Sequence, residues 1–108
     1  MTESEYLVLA EAVLNDIEIR LEQIADSSDV DIECSRSGNV LEIEFIDTES
    51  KIIVNTQAPM QEIWMAARSG GFHYRFNGQQ WLDTRDGSEL YAALSKVASL
   101  QAGSPITL

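Results

Sequence analysis

The apolar residues of this chain recur every three or four positions up to residue 24 and every second position from residue 30, and that switch limits what it can fold into. In the first stretch Tyr6, Ala10, Val13, Ile17, Leu21 and Ile24 fall on one face of a helix. No Gly or Pro interrupts residues 3–25, so a single long amphipathic helix is predicted there. In the second stretch Val30, Ile32 and Cys34 alternate with Asp29, Asp31 and Glu33, the period of a half-buried strand. Ser37-Gly38-Asn39 turns the chain, and Leu41, Ile43 and Phe45 then alternate with Glu42 and Glu44. The expected result is a hairpin with acids on the outward face of both strands.

The strand period continues downstream. Lys51–Gln57 reads as a third strand, stopped at Ala58-Pro59 because proline cannot donate to a ladder and restrains its predecessor. Periodicity alone allows Glu62–Ala67 to be a short strand or a short helix. After Ser69-Gly70-Gly71, Phe72, Tyr74 and Phe76 alternate with His73 and Arg75, and Asn77-Gly78 turns the chain into Gln80–Asp83. A second helix follows Asp86-Gly87-Ser88, with Ser88 as its expected N-cap and Glu89 at its positive end. Leu90, Leu94, Val97 and Ala98 give it one apolar stripe, Gly103 and Pro105 end it, and the tail Ile106–Leu108 is expected to pack on the body.

Short strands joined by tight turns pair antiparallel, and two one-sided helices must cover the same face of the sheet. The predicted class is α+β: a two-layer α-β sandwich, two helices on one face of a five- to six-stranded antiparallel sheet, with the other face in water. At 108 residues the chain is expected to form one domain.

Charge is distributed unevenly over this frame. Residues 1–50 hold 14 acidic side chains against Arg20 and Arg36, or 2 − 14 = −12; residues 51–108 hold 4 acids and 5 bases, or +1. The net charge of −11 argues against a nucleic-acid partner and against docking on anionic lipid. No apolar stretch approaches about 18–20 residues and no basic segment leads into one, so no membrane span or leader is expected. The single cysteine, Cys34, excludes an internal disulfide and suits a reducing compartment, and the expected location is cytoplasmic.

Glu11, Glu18 and Glu22 form a second arc on the first helix. Glu18 and Glu22 are neighbours across one turn and repel each other by a few tenths of a kcal/mol with no lysine between them. Such acids are either a solvated helix face or a functional acidic surface, and their continuation into two strands favours the second. Carboxylates are hard oxygen ligands for Mg²⁺, Ca²⁺, Mn²⁺ and iron. An open patch cannot enclose an ion, so binding is expected to be weak, multiple and shared with water.

Other chemistries fare poorly. Cys34 lies among acids that raise a thiol's pKa, no partner marks His73 for nucleophilic catalysis, and no catalytic residue is identified. His73 reads as a strand-surface histidine or an occasional metal ligand. One Cys and one His cannot build a structural zinc site, and Gly70-Gly71 lacks the pattern of a phosphate loop. Trp81 is assigned to the core. Trp64 is either core or, with Asn55 and Gln57, part of a protein-docking patch on the uncovered sheet face.

Lys51-Ile52-Ile53-Val54-Asn55-Thr56-Gln57-Ala58-Pro59, Ile63-Trp64-Met65-Ala66 and Ser69-Gly70-Gly71-Phe72-His73-Tyr74 resemble the bacterial branch of the frataxin family, the CyaY proteins. Trp81, Asp86-Gly87, the acidic first helix and the Gly38-Asn39-Val40-Leu41 turn extend the resemblance over essentially the whole chain. It implies the same sandwich fold, binding of ferrous and ferric iron through an acidic ridge, and a role in iron–sulfur cluster assembly. Carried over by position, the ridge is Glu11, Glu18, Glu22, Asp26, Asp29, Asp31 and Glu33, and the docking face includes Asn55, Gln57 and Trp64. The implied partners are a cysteine desulfurase and the iron–sulfur scaffold machinery. A monomer is expected, with iron-dependent oligomers as the alternative state. Doubled acids late in the first helix, frequent in the family, are replaced here by Ile19 and Gln23, which bears on the number and strength of iron sites. A non-enzymatic iron donor or regulator is thus the leading expectation; the alternative is a ferroxidase and iron-storage protein converting Fe²⁺ to Fe³⁺, for which no Glu-x-x-His helix pattern is present.

Overall fold

The computed structural model describes residues 1–108. Helix α1 (Glu3–Ser27) leads into six strands, β1 (Ile32–Ser37), β2 (Val40–Phe45), β3 (Ser50–Gln57), β4 (Glu62–Ala67), β5 (Gly70–Phe76) and β6 (Trp81–Asp83), and helix α2 (Leu90–Ala102) follows. A short 3₁₀ turn, Ala58–Met60, carries Pro59 between β3 and β4. The strands lie in chain order, each antiparallel to the next, so β1 and β6 are the edges. Both helices cover one face of this sheet, which is the architecture the sequence predicts.

α1 starts in a capping box: the Glu5 N–H donates to Thr2 Oγ1, and the Thr2 N–H donates to Glu5 Oε1. Its buried stripe is Tyr6, Ala10, Leu14, Ile17 and Leu21. Opposite it, Leu41, Ile43, Phe45, Ile52, Val54, Ile63, Met65 and Tyr74 point from β2–β5 into the same core. Tyr6 fixes the near end of α1 to the sheet where the 3₁₀ turn interrupts it: its hydroxyl donates to the Glu62 carbonyl at 2.5 Å and accepts from the Gln57 N–H at 3.0 Å. Gln101 does the same for α2, donating to the Lys51 carbonyl and accepting from the Arg68 N–H.

Several boundaries differ from the sequence reading. β1 begins at Ile32 rather than Asp29, because Ser28 caps α1 through the Ile24 carbonyl and its Oγ accepts from Val30, drawing residues 28–31 into a connection. Val13 and Ile24 are half-buried, and Leu14 sits at the centre of the stripe in their place. The N-cap of α2 is Glu89 instead of Ser88. Its carboxylate accepts from the Tyr91 and Ala92 N–H groups, while the Ser88 carbonyl is committed to Asp83 across the loop. Glu62–Ala67 is a strand. The tail packs as expected: Ile106 is buried, held by two hydrogen bonds to Ser99, and the Leu108 N–H reaches Ser95.

One group in the core is unsatisfied. The Tyr74 hydroxyl is buried and has no hydrogen-bond partner, a condition that costs about 1–3 kcal/mol. Urea unfolding of Tyr74→Phe is therefore expected to give a stability gain of about 1 kcal/mol. Leu14→Ala, which empties a fully buried site facing the sheet, is expected to lose about 2–5 kcal/mol in the same measurement.

Candidate functional site: an acidic edge and an open sheet face

The rotation of α1 about its own axis is set by its buried stripe. At 100° per residue, Glu11, Glu18 and Glu22 lie within about 40° of one another and about 100° from the centre of that stripe. The opposite flank of α1 meets α2, where Tyr91 donates to Asp16 at 2.7 Å and lies under the Arg20 guanidinium. The acids therefore overhang the β1 edge. One hydrogen bond and one electrostatic effect agree with this placement. Arg36 of β1 donates to Asn15 at 2.7 Å, and the charges of Glu18 and Glu22 act on Cys34 in the middle of β1. The helix and the edge strand run antiparallel, so Asp26, Asp29 and Asp31 follow at the end where α1 passes into β1.

Every ridge residue nominated from the sequence thus borders one edge, with one difference in orientation. Glu33 points to the uncovered face of β1, because Ile32 and Cys34 take the inward parity. There it stands directly opposite Glu44 of β2. None of Glu11, Glu18, Glu22, Asp26, Asp29, Asp31 and Glu33 enters an ion pair. Nor does any of their carboxylates accept a hydrogen bond, whereas Glu5, Asp16, Glu42, Glu62, Asp83, Asp86 and Glu89 all do. Glu3, Glu44, Asp47 and Glu49 are unpartnered as well, and two of these four lie with the ridge. Glu44 faces Glu33, and Asp47 lines a cleft of about 80 Å³ together with Asp29 and Asp31. The alternation in β2 made Glu44 legible; nothing in the sequence places Asp47 beside the start of β1. No three His, Cys, Asp or Glu side chains converge on a single ion position. The donor set nonetheless suits hard cations held loosely with water in their shells.

Cys34 records the field of this edge. Burial, and then the Glu18 and Glu22 carboxylates, push its thiol up to about 11. At neutral pH the thiol stays protonated and unreactive.

The uncovered face carries the second group of candidates. Asn55 and Gln57 of β3 and Trp64 of β4 share it, Asn55 directly opposite Trp64. Trp64 is half-buried there rather than in the core, whereas Trp81 is buried. The indole is held on two sides: its ring stacks on His73 of β5 at 4.2 Å with an interplanar angle of 6°, and its N–H donates to Glu62 at 2.8 Å. Glu62, only 3% exposed, also accepts from Arg75 at 2.7 Å and lies 3.7 Å from His73 Nδ1. Gln57 donates its amide to Asn55 at 2.7 Å. Glu62 is the residue sequence reasoning missed, since a carboxylate at a strand start looks like an ordinary surface acid until its cross-strand neighbours are known. Lys51, which bonds Glu42, marks where the basic and acidic parts of this face meet.

An all-antiparallel sheet with both helices on one side, an acidic edge and a polar face centred on a fixed tryptophan define the class of small α-β sandwich to which the frataxins belong. The frataxin-like domain pattern matches residues 1–104, and the chain belongs to that family. It is 66% identical over its full length to the iron–sulfur cluster assembly protein CyaY of Janthinobacterium sp. (strain Marseille), covering 96% of that protein. The protein of the same name from Herminiimonas arsenicoxydans is 62% identical, with the same coverage. Among solved structures, the frataxin of Psychromonas ingrahamii superposes with a TM-score of 0.82 at 29% identity, covering 99% of this chain and 97% of that one. A trimeric yeast frataxin shares the fold at a TM-score of 0.75 and 22% identity, over 88% of this chain and 79% of that one.

Two measurements check this geometry. Alkylation of Cys34 by iodoacetamide is expected to keep accelerating with pH to about 11; Glu18→Gln with Glu22→Gln is expected to move that midpoint down. Arg75→Ala is expected to cost about 2 kcal/mol in urea unfolding, because it strips a buried carboxylate of its cation. Glu62→Gln, which keeps an acceptor for Trp64, is expected to cost about half as much.

Proposed function

We propose that this chain is a non-enzymatic component of iron–sulfur cluster assembly that gathers ferrous and ferric iron on its acidic edge and presents a protein-docking face to the assembly machinery. The observation that carries the proposal is the set of carboxylates along α1, the α1–β1 connection and β1 that satisfy no partner within the fold. Each repulsion costs only a few tenths of a kcal/mol, yet all fall on one edge, and in water they are ready-made oxygen ligands. The names of the relatives, iron–sulfur cluster assembly proteins, supply the process. A yeast frataxin of the same fold has been crystallised in complex with ferrous iron, which agrees with iron as the cargo.

In this reading Glu11, Glu18, Glu22, Asp26, Asp29, Asp31 and Glu33, extended by Glu44 and Asp47, hold iron weakly at several overlapping positions. Exchange with water remains fast and the ion can be passed on. The same negative edge attracts a basic surface of a cysteine desulfurase. Trp64, immobilised by Glu62 and His73, together with Asn55 and Gln57, forms the more specific contact with desulfurase or scaffold, since an indole already fixed in place loses little entropy on docking. In the same reading the protein acts in the cytoplasm as a single domain and as a monomer.

The test replaces Glu18 and Glu22 by Gln and Asp29 and Asp31 by Asn. Anaerobic Fe²⁺ titration of the unaltered protein is expected to broaden amide resonances of α1, the 28–31 connection and β1 selectively, and the quadruple variant is expected to lose that broadening. Its affinity for purified cysteine desulfurase is expected to fall at about 0.1 M salt and to converge with that of the unaltered protein near 1 M, where the Debye length has dropped from about 10 to about 3 Å. Affinity and salt dependence that stay unchanged would remove the edge from docking. The variant is also expected to unfold at a higher urea concentration, by about 0.5 kcal/mol or more in stability, because repulsion has been relieved.

A further inference from the structure

The two edges of the sheet are finished differently. β6 is three residues long, and the chain folds back against it at once: the Asp83 N–H donates to the Ser88 carbonyl, and Leu82 bridges Glu89. β1 is six residues long, and no strand pairs with its outer side. The Ile46 N–H donates to the Asp31 carbonyl, so by alternation Glu33, Ser35 and Ser37 turn their backbone groups toward β2. The N–H and C=O groups of Ile32, Cys34 and Arg36 therefore point out of the sheet, and none of them has a hydrogen-bond partner.

Natural sheets protect such an edge with proline, a bulge, lysines or a covering segment. β1 contains neither proline nor lysine. Its one-to-one register with β2 leaves no bulge, and no segment lies beside it in the plane of the sheet. Its protection is negative charge. Glu11, Glu18 and Glu22 overhang it from α1, and Asp31 and Glu33 lie at its start. Against these five carboxylates stands one cation, Arg36, whose guanidinium donates to the Gly38 carbonyl and to Asn15. A second copy of the chain would bring the same carboxylates to the same line, so two β1 edges repel each other. A strand of opposite charge meets attraction there instead.

We propose that β1 accepts an extended segment of a partner protein as a seventh strand. The segment's main chain pairs with Ile32, Cys34 and Arg36, and lysine or arginine at every second position lies on the side of Glu18 and Glu22. The open backbone row sets the partner's extended form, and the flanking carboxylates set its charge. This deepens the docking half of the function proposed above and rests on that reading for a basic partner at this edge; the iron half is independent of it.

The probe is a capped heptapeptide alternating threonine and lysine, titrated without iron into the ¹⁵N-labelled full chain. Saturable amide shifts are expected in β1, and hydrogen exchange at Ile32, Cys34 and Arg36 is expected to slow about tenfold at saturation. The alternating threonine–glutamate peptide is expected not to bind. Two further peptides carry N-methyl groups on every lysine or on every threonine. Only alternate N–H groups of a strand face its neighbour. One methylated peptide is therefore expected to bind about tenfold more weakly or worse, and the other within about threefold of the unmethylated one. The proposal is overturned if the lysine peptide does not bind, if the glutamate peptide binds equally well, or if exchange at Ile32, Cys34 and Arg36 is unchanged. It is also overturned if the two methylated peptides weaken alike or not at all. Should that happen while the quadruple variant above still loses desulfurase affinity, strand pairing fails and the charged docking edge stands.

Discussion

Much of this molecule follows from how one helix is seated. Tyr6, Ala10, Leu14, Ile17 and Leu21 are fully buried against the sheet, and Tyr6 adds hydrogen bonds to β3 and β4 at the point where Pro59 breaks the ladder. Together they fix both the axial position and the rotation of α1. A turn of the helix by about one residue, or 100°, would carry Glu18 and Glu22 away from β1 and bury charge or expose leucine. The apolar stripe therefore does two things: it supplies the core, and it aims the carboxylates at the sheet edge. The opposite flank is held in register by Asp16, Arg20 and Tyr91, so α2 and the tail depend on the same rotation.

Because both helices spend their apolar faces on one side, the other side of the sheet is closed by nothing larger than its own side chains. On that surface the strand register decides what meets what. Gln57 falls beside Glu62, Glu62 beside Arg75, and Trp64 between Asn55 and His73. A buried carboxylate on a surface is unfavourable unless its partners are close, and here an arginine and an indole N–H both reach it. The consequence is a half-buried aromatic held in place by its neighbours on the open face.

The architecture was readable because it rests on periodicity, which is local. The helix at 3–25 and the alternation in β2 and β5 follow from spacing alone, and the Asn77-Gly78 turn follows from its residue types. Leu14 was passed over because a step of four from Ala10 fits the stripe as well as the step of three to Val13, and only the sheet's position chooses between them. Ser88 looked like the cap because it is a good capping residue, but its carbonyl is taken by Asp83, a contact across the loop. The ridge was legible as composition, since a run of acids without lysines needs no structure to be noticed. The reversed facing of Glu33, the membership of Asp47 and the role of Glu62 were not, because each depends on pairing between strands or on a loop that meets another end of the chain.

The placement of the one cysteine has a consequence for chemistry under oxidising stress. Iron held beside oxygen and peroxide generates species that attack sulfur, and a thiolate on the same edge would be the first casualty, ending as sulfenic acid or as a bridge between two molecules. Here burial, and then the Glu18 and Glu22 carboxylates to which we assign the metal, suppress ionisation of Cys34. On the proposed function, the edge that meets the metal thus keeps its own sulfur as a thiol, which reacts more slowly than the thiolate.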